Sequence, residues 1–192
     1  MSKAIFFDRD GTLLVEMGYV AHPSQIRPYS FAPEALRMAR AQGFFLVMVT
    51  NQSGIARGWL SESDLEAVHA RMQEMLKPGG AELDAIYYCP HHPQGTVERY
   101  RRACECRKPS PGLGYRAVRD LGIDVAESLV IGDKSSDIRF GEALGLATCL
   151  VRTGFGEAEE AKIRDERLAV VHVADNVLEA VHWATTRGRD RR

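Results

Sequence analysis

The sequence contains no apolar run that approaches the ~20 residues needed to span a bilayer. Its beginning lacks the basic segment and long apolar stretch of an export signal, since Asp8 and Arg9 break the first apolar run at once. A net charge of -1 gives bulk electrostatics no hold on a polyanion, so neither nucleic acid nor a membrane is expected as a partner. Four cysteines are too few for a disulfide framework in 192 residues, and the expected compartment is the reducing cytoplasm. Repeats, low-complexity tracts and interdomain linkers are also missing. With 45% apolar and 27% charged residues, what remains is an ordinary globular chain, long enough for one well-packed domain and short for two. That domain is expected over residues 1–186. The basic end Arg187-Gly188-Arg189-Asp190-Arg191-Arg192 is expected to be a disordered, solvated tail.

What is present is an alternation. Ala4 to Phe7 form an apolar run of strand character, and Pro33 opens a helix that runs through Gln42 and stops at Gly43. Phe44 to Val49 read as a second buried strand. Ser61 to Asp64 match a Ser-x-x-acid helix start, and that helix runs to about Leu76 with Leu65, Val68, Met72, Met75 and Leu76 toward the core. Asp84 to Tyr88 form a short strand before a Cys/His-rich loop from Cys89 to Cys106. Ser110 caps the next helix, which has Pro111 in its first turn and closes at Gly122. Strands at Ser128–Ile131, Ala147–Val151 and Ala169–Val173 then alternate with helices near Ser136–Leu144, Ala158–Glu166 and Asn176–Thr185. This order predicts an α/β fold, a doubly wound, Rossmann-like parallel sheet with helices on both faces. His69 carries no assigned chemistry, and Cys149 in a buried strand reads as core.

The first strand ends in Asp8-Arg9-Asp10-Gly11-Thr12. Residues i and i+2 of an extended chain point the same way, so Asp8 and Asp10 can converge on one site at the carboxyl edge of the sheet, where ligands of such folds bind. A calcium loop would need further acids at alternate positions, but Leu13-Leu14-Val15 follow. Two more strand ends carry polar clusters, Thr50/Asn51 and Asp133/Asp137, and Arg107/Lys108 precede a helix. Carboxylates beside a lysine suit a phosphate substrate. The acids hold Mg2+, which prefers oxygen ligands, while a hydroxyl and an ammonium stabilise the phosphoryl oxygens.

In their order, Asp8-x-Asp10-Gly11-Thr12, Thr50-Asn51, Lys108 and Gly132-Asp133-x-x-x-Asp137 resemble the four motifs of the haloacid dehalogenase (HAD) superfamily of phosphatases. The resemblance implies that Asp8 is the nucleophile, forming an aspartyl-phosphate, and that Asp10 serves as general acid and then base. It implies Mg2+ on Asp8, on the backbone carbonyl of Asp10 and on Asp133, with Asp137 an outer partner of the metal. Thr50 and Lys108 would steady the phosphoryl group. The intervals between motifs leave no room for a large cap domain, so an open site with specificity supplied by loops is expected.

Cys89-Pro90-His91-His92-Pro93 and Cys104-Glu105-Cys106 offer three thiolates and a choice of imidazoles, which fits a closed tetrahedral zinc site. A closed site shapes the loop and leaves the chemistry elsewhere. With this loop, and with Gly18-Tyr19-Val20, Thr50 to Gly58, Tyr87 to Pro93, Cys104 to Pro109 and Gly132-Asp133-Lys134, the chain resembles the D-glycero-D-manno-heptose 1,7-bisphosphate 7-phosphatases. That family implies structural zinc on Cys89, His91, Cys104 and Cys106, with His92 a non-ligand neighbour. It also implies substrate contacts at Glu16, Met17, Gly18, Tyr19, Asn51, Gln52, Ser53, Arg107 and Lys134. Arg107 would take the retained phosphate of a sugar bisphosphate, leaving heptose 1-phosphate for a nucleotide-activated heptose of lipopolysaccharide or another surface glycan.

Three other readings compete. A histidinol-phosphate phosphatase shares the core and a similar metal loop. A polynucleotide 3′-phosphatase would want a basic, aromatic-rich groove, and none is evident. A non-enzymatic, zinc-structured interaction protein would predict loss of Asp8, Asp10 or Lys108, and all three are present. A monomer is the default expectation.

Overall fold

Parallel pairing and short connections put six strands in one sheet of order β3-β2-β1-β4-β5-β6. The computed structural model describes residues 2–186. Its strands are β1 (Ala4–Phe7), β2 (Phe45–Asn51), β3 (Ala85–Cys89), β4 (Leu129–Gly132), β5 (Ala147–Val151) and β6 (His172–Ala174). Its α-helices are α1 (Ala32–Ala41), α2 (Glu62–Leu76), α3 (Gly112–Leu121), α4 (Ser135–Leu144), α5 (Gly156–Asp165) and α6 (Val177–Thr186). This is the expected α/β class, a single domain. The tail expected to be disordered, residues 187–192, lies outside the described residues.

The chain winds outward from β1 through β2 to β3, then returns to lay β4 against the other side of β1. The direction of winding therefore reverses between β1 and β4. In open α/β sheets this switch point opens a crevice at the carboxyl ends of the strands. Alternation along β1 sorts its four buried residues between two cores. Ile5 and Phe7 join Leu46, Met48 and the inner faces of α1 and α6, while Ala4 and Phe6 join Val47, Val49 and the inner faces of α3 and α4. Burial on both faces explains why the strand reads as an unbroken apolar run. Helix α4 lies unusually close to the sheet. A Cβ on its Gly141 would sit 2.5 Å from Val130 Cγ1 and 2.6 Å from Thr148 Cγ2, so only glycine permits the approach.

Local differences from the sequence reading have physical causes. Ser61 does cap α2 by accepting from Asp64 N, with Asp64 returning the bond to Ser61 N. Ser110, by contrast, caps nothing: Pro111 occupies the cap position and α3 begins at Gly112. Along α2 the core stripe passes from Met72 to Leu76 by a four-residue step, which leaves Met75 36% exposed. The last strand is shorter and later than Ala169–Val173. The amides of Ala169 and Val170 donate to Glu142 Oε1 and the Leu168 carbonyl instead of to β5, Val171 N reaches Thr148 O at 3.0 Å, and the continuous register begins only at His172, leaving Val171 54% exposed.

Candidate active site

Register brings the polar strand ends together. Phe7 pairs with Met48 and Ile131, so Asp8 emerges between the ends of β2 and β4, beside Thr50 and Asp133. Lys108, a hundred residues from Asp8, arrives from the loop before α3. Its Nζ donates to Asp8 Oδ1 at 2.7 Å and to the Val49 carbonyl at 2.7 Å, and lies 2.6 Å from Asp137 Oδ1. Burial works against this ammonium, but the Asp137 and Asp8 charges outweigh it and raise the pKa above the ordinary lysine value. The backbone of Lys108 is held as tightly. Asn51 Oδ1 accepts from Lys108 N, and Asn51 Nδ2 donates to Lys108 O, both at 3.0 Å. A reciprocal amide pair of this kind fixes where the lysine starts, so its side chain reaches the acids without a search.

Asp10 turns elsewhere. Its carboxylate takes the Nε of the buried Arg9 at 3.0 and 3.1 Å and the Nε2 of Gln52 at 3.1 Å. Gln52 Nε2 also donates to Thr50 Oγ1 at 2.8 Å, which leaves the threonine hydroxyl proton free to point into the cavity. The carboxylates that converge most closely are Asp8, Asp133 and Asp137, whose ligand atoms lie within 4.8 Å of one another. Asp137 is engaged by Lys108 and by Lys134 N, which donates to its Oδ2 at 3.1 Å. Asp133 is different: Oδ2 accepts from Phe155 N at 2.9 Å, but the buried Oδ1 has no partner among the described residues. Burial, with the Asp8 and Asp137 charges beside it, pushes the Asp133 carboxyl up to about 8. An orphaned oxygen in a crowd of buried acids is what a hard divalent cation would satisfy, so the donor set fits magnesium. Gly11 is part of the same cradle. It has φ +86°, and a Cβ there would lie 2.1 Å from Asp133 Oδ2.

Above this floor lies a cavity of about 390 Å³ lined by Asp8, Asp10, Glu16, Gly18, Tyr19, Thr50, Asn51, Gln52, Ser53, Arg107, Lys108, Lys134, Ser136, Asp137 and Phe155. The substrate-contact residues implied by resemblance therefore gather here, except Met17, which is 48% exposed and does not line the cavity. Glu16 is tied by Gly18 N at 2.8 Å and by Lys134 Nζ at 3.3 Å, which closes one side of the rim. Tyr19, also lining the cavity, packs edge-on against the exposed Trp59, with ring centroids 4.1 Å apart. Phe155 and Ser136 were not singled out from sequence, nor was Arg9. The one available signal for Arg9 was its place, a charged side chain directly behind a fully buried strand.

The Cys/His loop closes on itself beside the cavity. Cys89 Sγ lies 3.5 Å from Cys104 Sγ and 3.1 Å from Cys106 Sγ, and Cys104 and Cys106 are 3.2 Å apart. These separations are too long for a disulfide, and Cys89, Cys104 and Cys106 are free thiols. His91 Nδ1 faces the same point, 3.2 Å from Cys106 Sγ and 3.8 Å from Cys89 Sγ, while His92 turns to Arg57. Three sulfurs and one imidazole nitrogen around one point are the donor set of structural zinc, whose tetrahedral edge is about 3.8 Å for sulfur ligands. Burial pushes the Cys89 thiol up, a cost that a bound cation removes. Zinc on Nδ1 leaves the imidazole proton on Nε2, so the exposed Arg102, now 2.9 Å from that nitrogen, has to release it.

A parallel sheet carrying an Asp-x-Asp strand end, a buried lysine and an acidic pair after β4 defines a hydrolase of the haloacid dehalogenase class. In keeping with this, a HAD-hydrolase-like family model matches residues 105–180. The chain is 45% identical over 163 residues to the D-glycero-beta-D-manno-heptose-1,7-bisphosphate 7-phosphatase of Pasteurella multocida, covering 84% of this chain and 88% of that one. It is 46% identical over 160 residues to the enzyme of the same name from Escherichia coli K12, covering 83% and 84%. A crystal structure of D,D-heptose 1,7-bisphosphate phosphatase from B. bronchiseptica, complexed with magnesium and phosphate, superposes with a TM-score of 0.83 at 30% identity, covering 94% of this chain and 96% of that one. The chain belongs to the D-glycero-beta-D-manno-heptose-1,7-bisphosphate 7-phosphatase family. It is a phosphoric monoester hydrolase.

Two outcomes follow from the metal centres. A carboxyl with a raised folded-state pKa costs stability once the unfolded chain has ionised, so metal-free protein loses stability as pH rises from about 4 toward 8. Magnesium should relieve this cost. Thermal melts should show a Mg2+-dependent rise at neutral pH that Asp133→Asn abolishes, the variant being the more stable of the two without metal; an undiminished rise in the variant would contradict the assignment. Protein purified without chelator should carry about one zinc per chain by metal analysis, and Cys104→Ser should lose it while the sheet's circular dichroism persists. Zinc-free wild-type protein would count against the site.

Proposed function

We propose that the protein is a Mg-dependent phosphatase that removes the C7 phosphate of D-glycero-β-D-manno-heptose 1,7-bisphosphate and releases heptose 1-phosphate. Family membership carries the substrate, and one observation carries the chemistry. Asp8 stands at the floor of the cavity with one oxygen held by Lys108 at 2.7 Å, beside an Asp133 oxygen that no described residue satisfies. Asp8 attacks phosphorus in line and displaces the sugar oxygen, giving an aspartyl-phosphate. Asp10 hands a proton to the departing C7 oxygen, then takes one from the water that hydrolyses the intermediate. Lys108 and the Thr50 hydroxyl hold the equatorial oxygens as charge builds on them.

Asp8, the Asp10 carbonyl and Asp133 would hold the metal, with Asp137 behind them orienting Lys108. Magnesium, when bound, offsets the repulsion between the Asp8 carboxylate and the anionic phosphoryl group. Arg107 and Lys134, both at the cavity wall, receive the retained phosphate, and a guanidinium can do so bidentately. Glu16, Tyr19, Gln52 and Ser53 enclose the sugar. Asn51 is spent on the Lys108 backbone, so its part is to place the lysine. Zinc keeps Cys89, His91, Cys104 and Cys106 together and so places Arg107 and Lys108, which follow Cys106 directly. Reduced thiols on that scale favour the cytoplasm, and no helix among the described residues is long and apolar enough to cross a membrane. The domain we assign to this activity is residues 1–186.

The test is phosphate release with Mg2+ from the β- and α-anomers of heptose 1,7-bisphosphate and from histidinol phosphate. Histidinol phosphate has no second phosphate, so it forgoes the contact with Arg107 and Lys134. Sites built on such contacts discriminate by about 10⁴ or more in kcat/KM. The β-anomer should lead by that order over histidinol phosphate. A lead for histidinol phosphate would overturn the substrate assignment and leave the chemistry standing.

A further inference from the structure

Directly behind the reacting groups lies a buried cation that the chemistry above does not use. Arg9 is 1% exposed, and two of its side-chain partners, Asp10 and Gln52, line the cavity. Its Nε donates to Asp10 Oδ2 at 3.0 Å and to Oδ1 at 3.1 Å. Its Nη2 lies 2.9 Å from Asp10 Oδ2 and donates to Gln52 Oε1 at 2.9 Å. Its Nη1 lies 3.3 Å from His69 Nε2, on α2, sixty residues along the chain. A guanidinium has no acceptor, so His69 Nε2 must present its lone pair and the proton must sit on Nδ1. Burial, helped by the Arg9 charge, holds that imidazole down at about 3, so it stays a neutral acceptor at any working pH.

A buried charge of this kind is a poor way to gain stability, since an apolar side chain of similar volume avoids the desolvation cost. Its geometry points to another purpose. The two oxygens of Asp10 are not treated alike. Oδ2 receives Arg9 Nε, the ion contact from Nη2 and Gln52 Nε2, which exhausts its two lone pairs. Oδ1 has only the longer branch of the Arg9 Nε bond.

We propose that Arg9, oriented by His69, is a positioning residue that occupies Oδ2 of Asp10 and so makes Oδ1 the oxygen that carries the proton. This deepens the reading of Asp10 given above and rests on it. In the transfer step the Asp10 Oδ1–H bond breaks as a bond forms from that hydrogen to the ester oxygen. The P–O electron pair goes to the same oxygen, and the sugar leaves as a neutral alcohol. Through Gln52, the same arginine also orients Thr50, whose oxygen accepts from Gln52 Nε2 at 2.8 Å.

The decisive comparison is kcat/KM for heptose 1,7-bisphosphate and for p-nitrophenyl phosphate, measured on wild type, Arg9→Met and His69→Leu. This parameter covers steps up to phosphorylation of Asp8, so later hydrolysis of the intermediate does not enter. An alkoxide needs a proton to leave, whereas nitrophenolate does not. Positioned general acids contribute about 10²–10⁴. Arg9→Met should therefore lose roughly that factor on the heptose ester and less than about tenfold on the aryl ester. His69→Leu should shift the ratio of the two in the same direction by less. Any loss through Thr50 lowers both esters together and cancels in the ratio. Equal losses on both esters, or an unchanged ratio in either folded variant, would overturn the proposal. If Arg9→Met fails to fold, His69→Leu decides alone. A wild-type enzyme that ignores the heptose ester would strike the substrate assignment instead, and the same ratio is then read on glycerol 2-phosphate against p-nitrophenyl phosphate.

Discussion

The ammonium of Lys108, buried between Asp8 and Asp137, is the contact on which the rest of the site depends. Taking three charges out of water is costly, and the arrangement holds only because each is paired at 2.6–2.7 Å and the Val49 carbonyl accepts a further hydrogen bond from the ammonium. Removing one partner would strand the others, at about 3–5 kcal/mol for a buried pair. A good part of the surrounding structure serves this contact. Asn51 clamps the lysine backbone, the cysteine loop ends two residues before it, and α4 places Asp137 behind it. The loop before α3 has little apolar content of its own. Its four converging Cys and His ligands are placed so that a bound metal would supply the order that packing does not.

Topology makes such a contact possible. The reversal of winding between β1 and β4 leaves a crevice at their carboxyl ends, and β2 flanks it on the other side of β1. Three strands therefore deliver Asp8, Thr50 and Asp133 to one place with no side chain required to reach far. The net charge of the chain is near zero, yet burial, with the Asp8 and Asp137 charges beside it, raises the Asp133 carboxyl pKa to about 8. That local excess is balanced by Lys108 and Lys134 at the wall and Arg9 behind, and is completed by a cation. A site of this kind is anionic where metal binds and cationic where phosphate binds, within one cavity of about 390 Å³.

Much of this was legible in the sequence, for a physical reason. A strand buried on both faces has to be apolar throughout, so the first polar residues after it mark the sheet edge, as at Asp8, Thr50 and Asp133. Paired Cys-x-His and Cys-x-Cys segments announce a shared ligand point in the same way. The illegible parts depend on distance. Nothing in the sequence sets Arg9 against His69, because that contact joins the segment after β1 to α2, sixty residues away, only in the folded chain. The cap of α3 and the exposure of Met75 turn on a single step of helical phase. The last strand begins later than its apolar run because the amides of Ala169 and Val170 are taken by Glu142 and Leu168, and the bond to Glu142 is made only in the folded chain. Met17 was carried into the site by its neighbours in a loop, and the loop turns its side chain out.

The account stands or falls on Asp8 as the nucleophile that becomes phosphorylated. The most direct measurement is to quench wild-type enzyme in acid during turnover, reduce with borohydride and map the peptides by mass spectrometry. An acyl phosphate at Asp8 is converted to homoserine, so the account predicts a substrate-dependent mass change at position 8, absent from Asp10 and Asp133. Modification at another residue, or rapid turnover with position 8 unchanged under conditions that stabilise the intermediate, would contradict it.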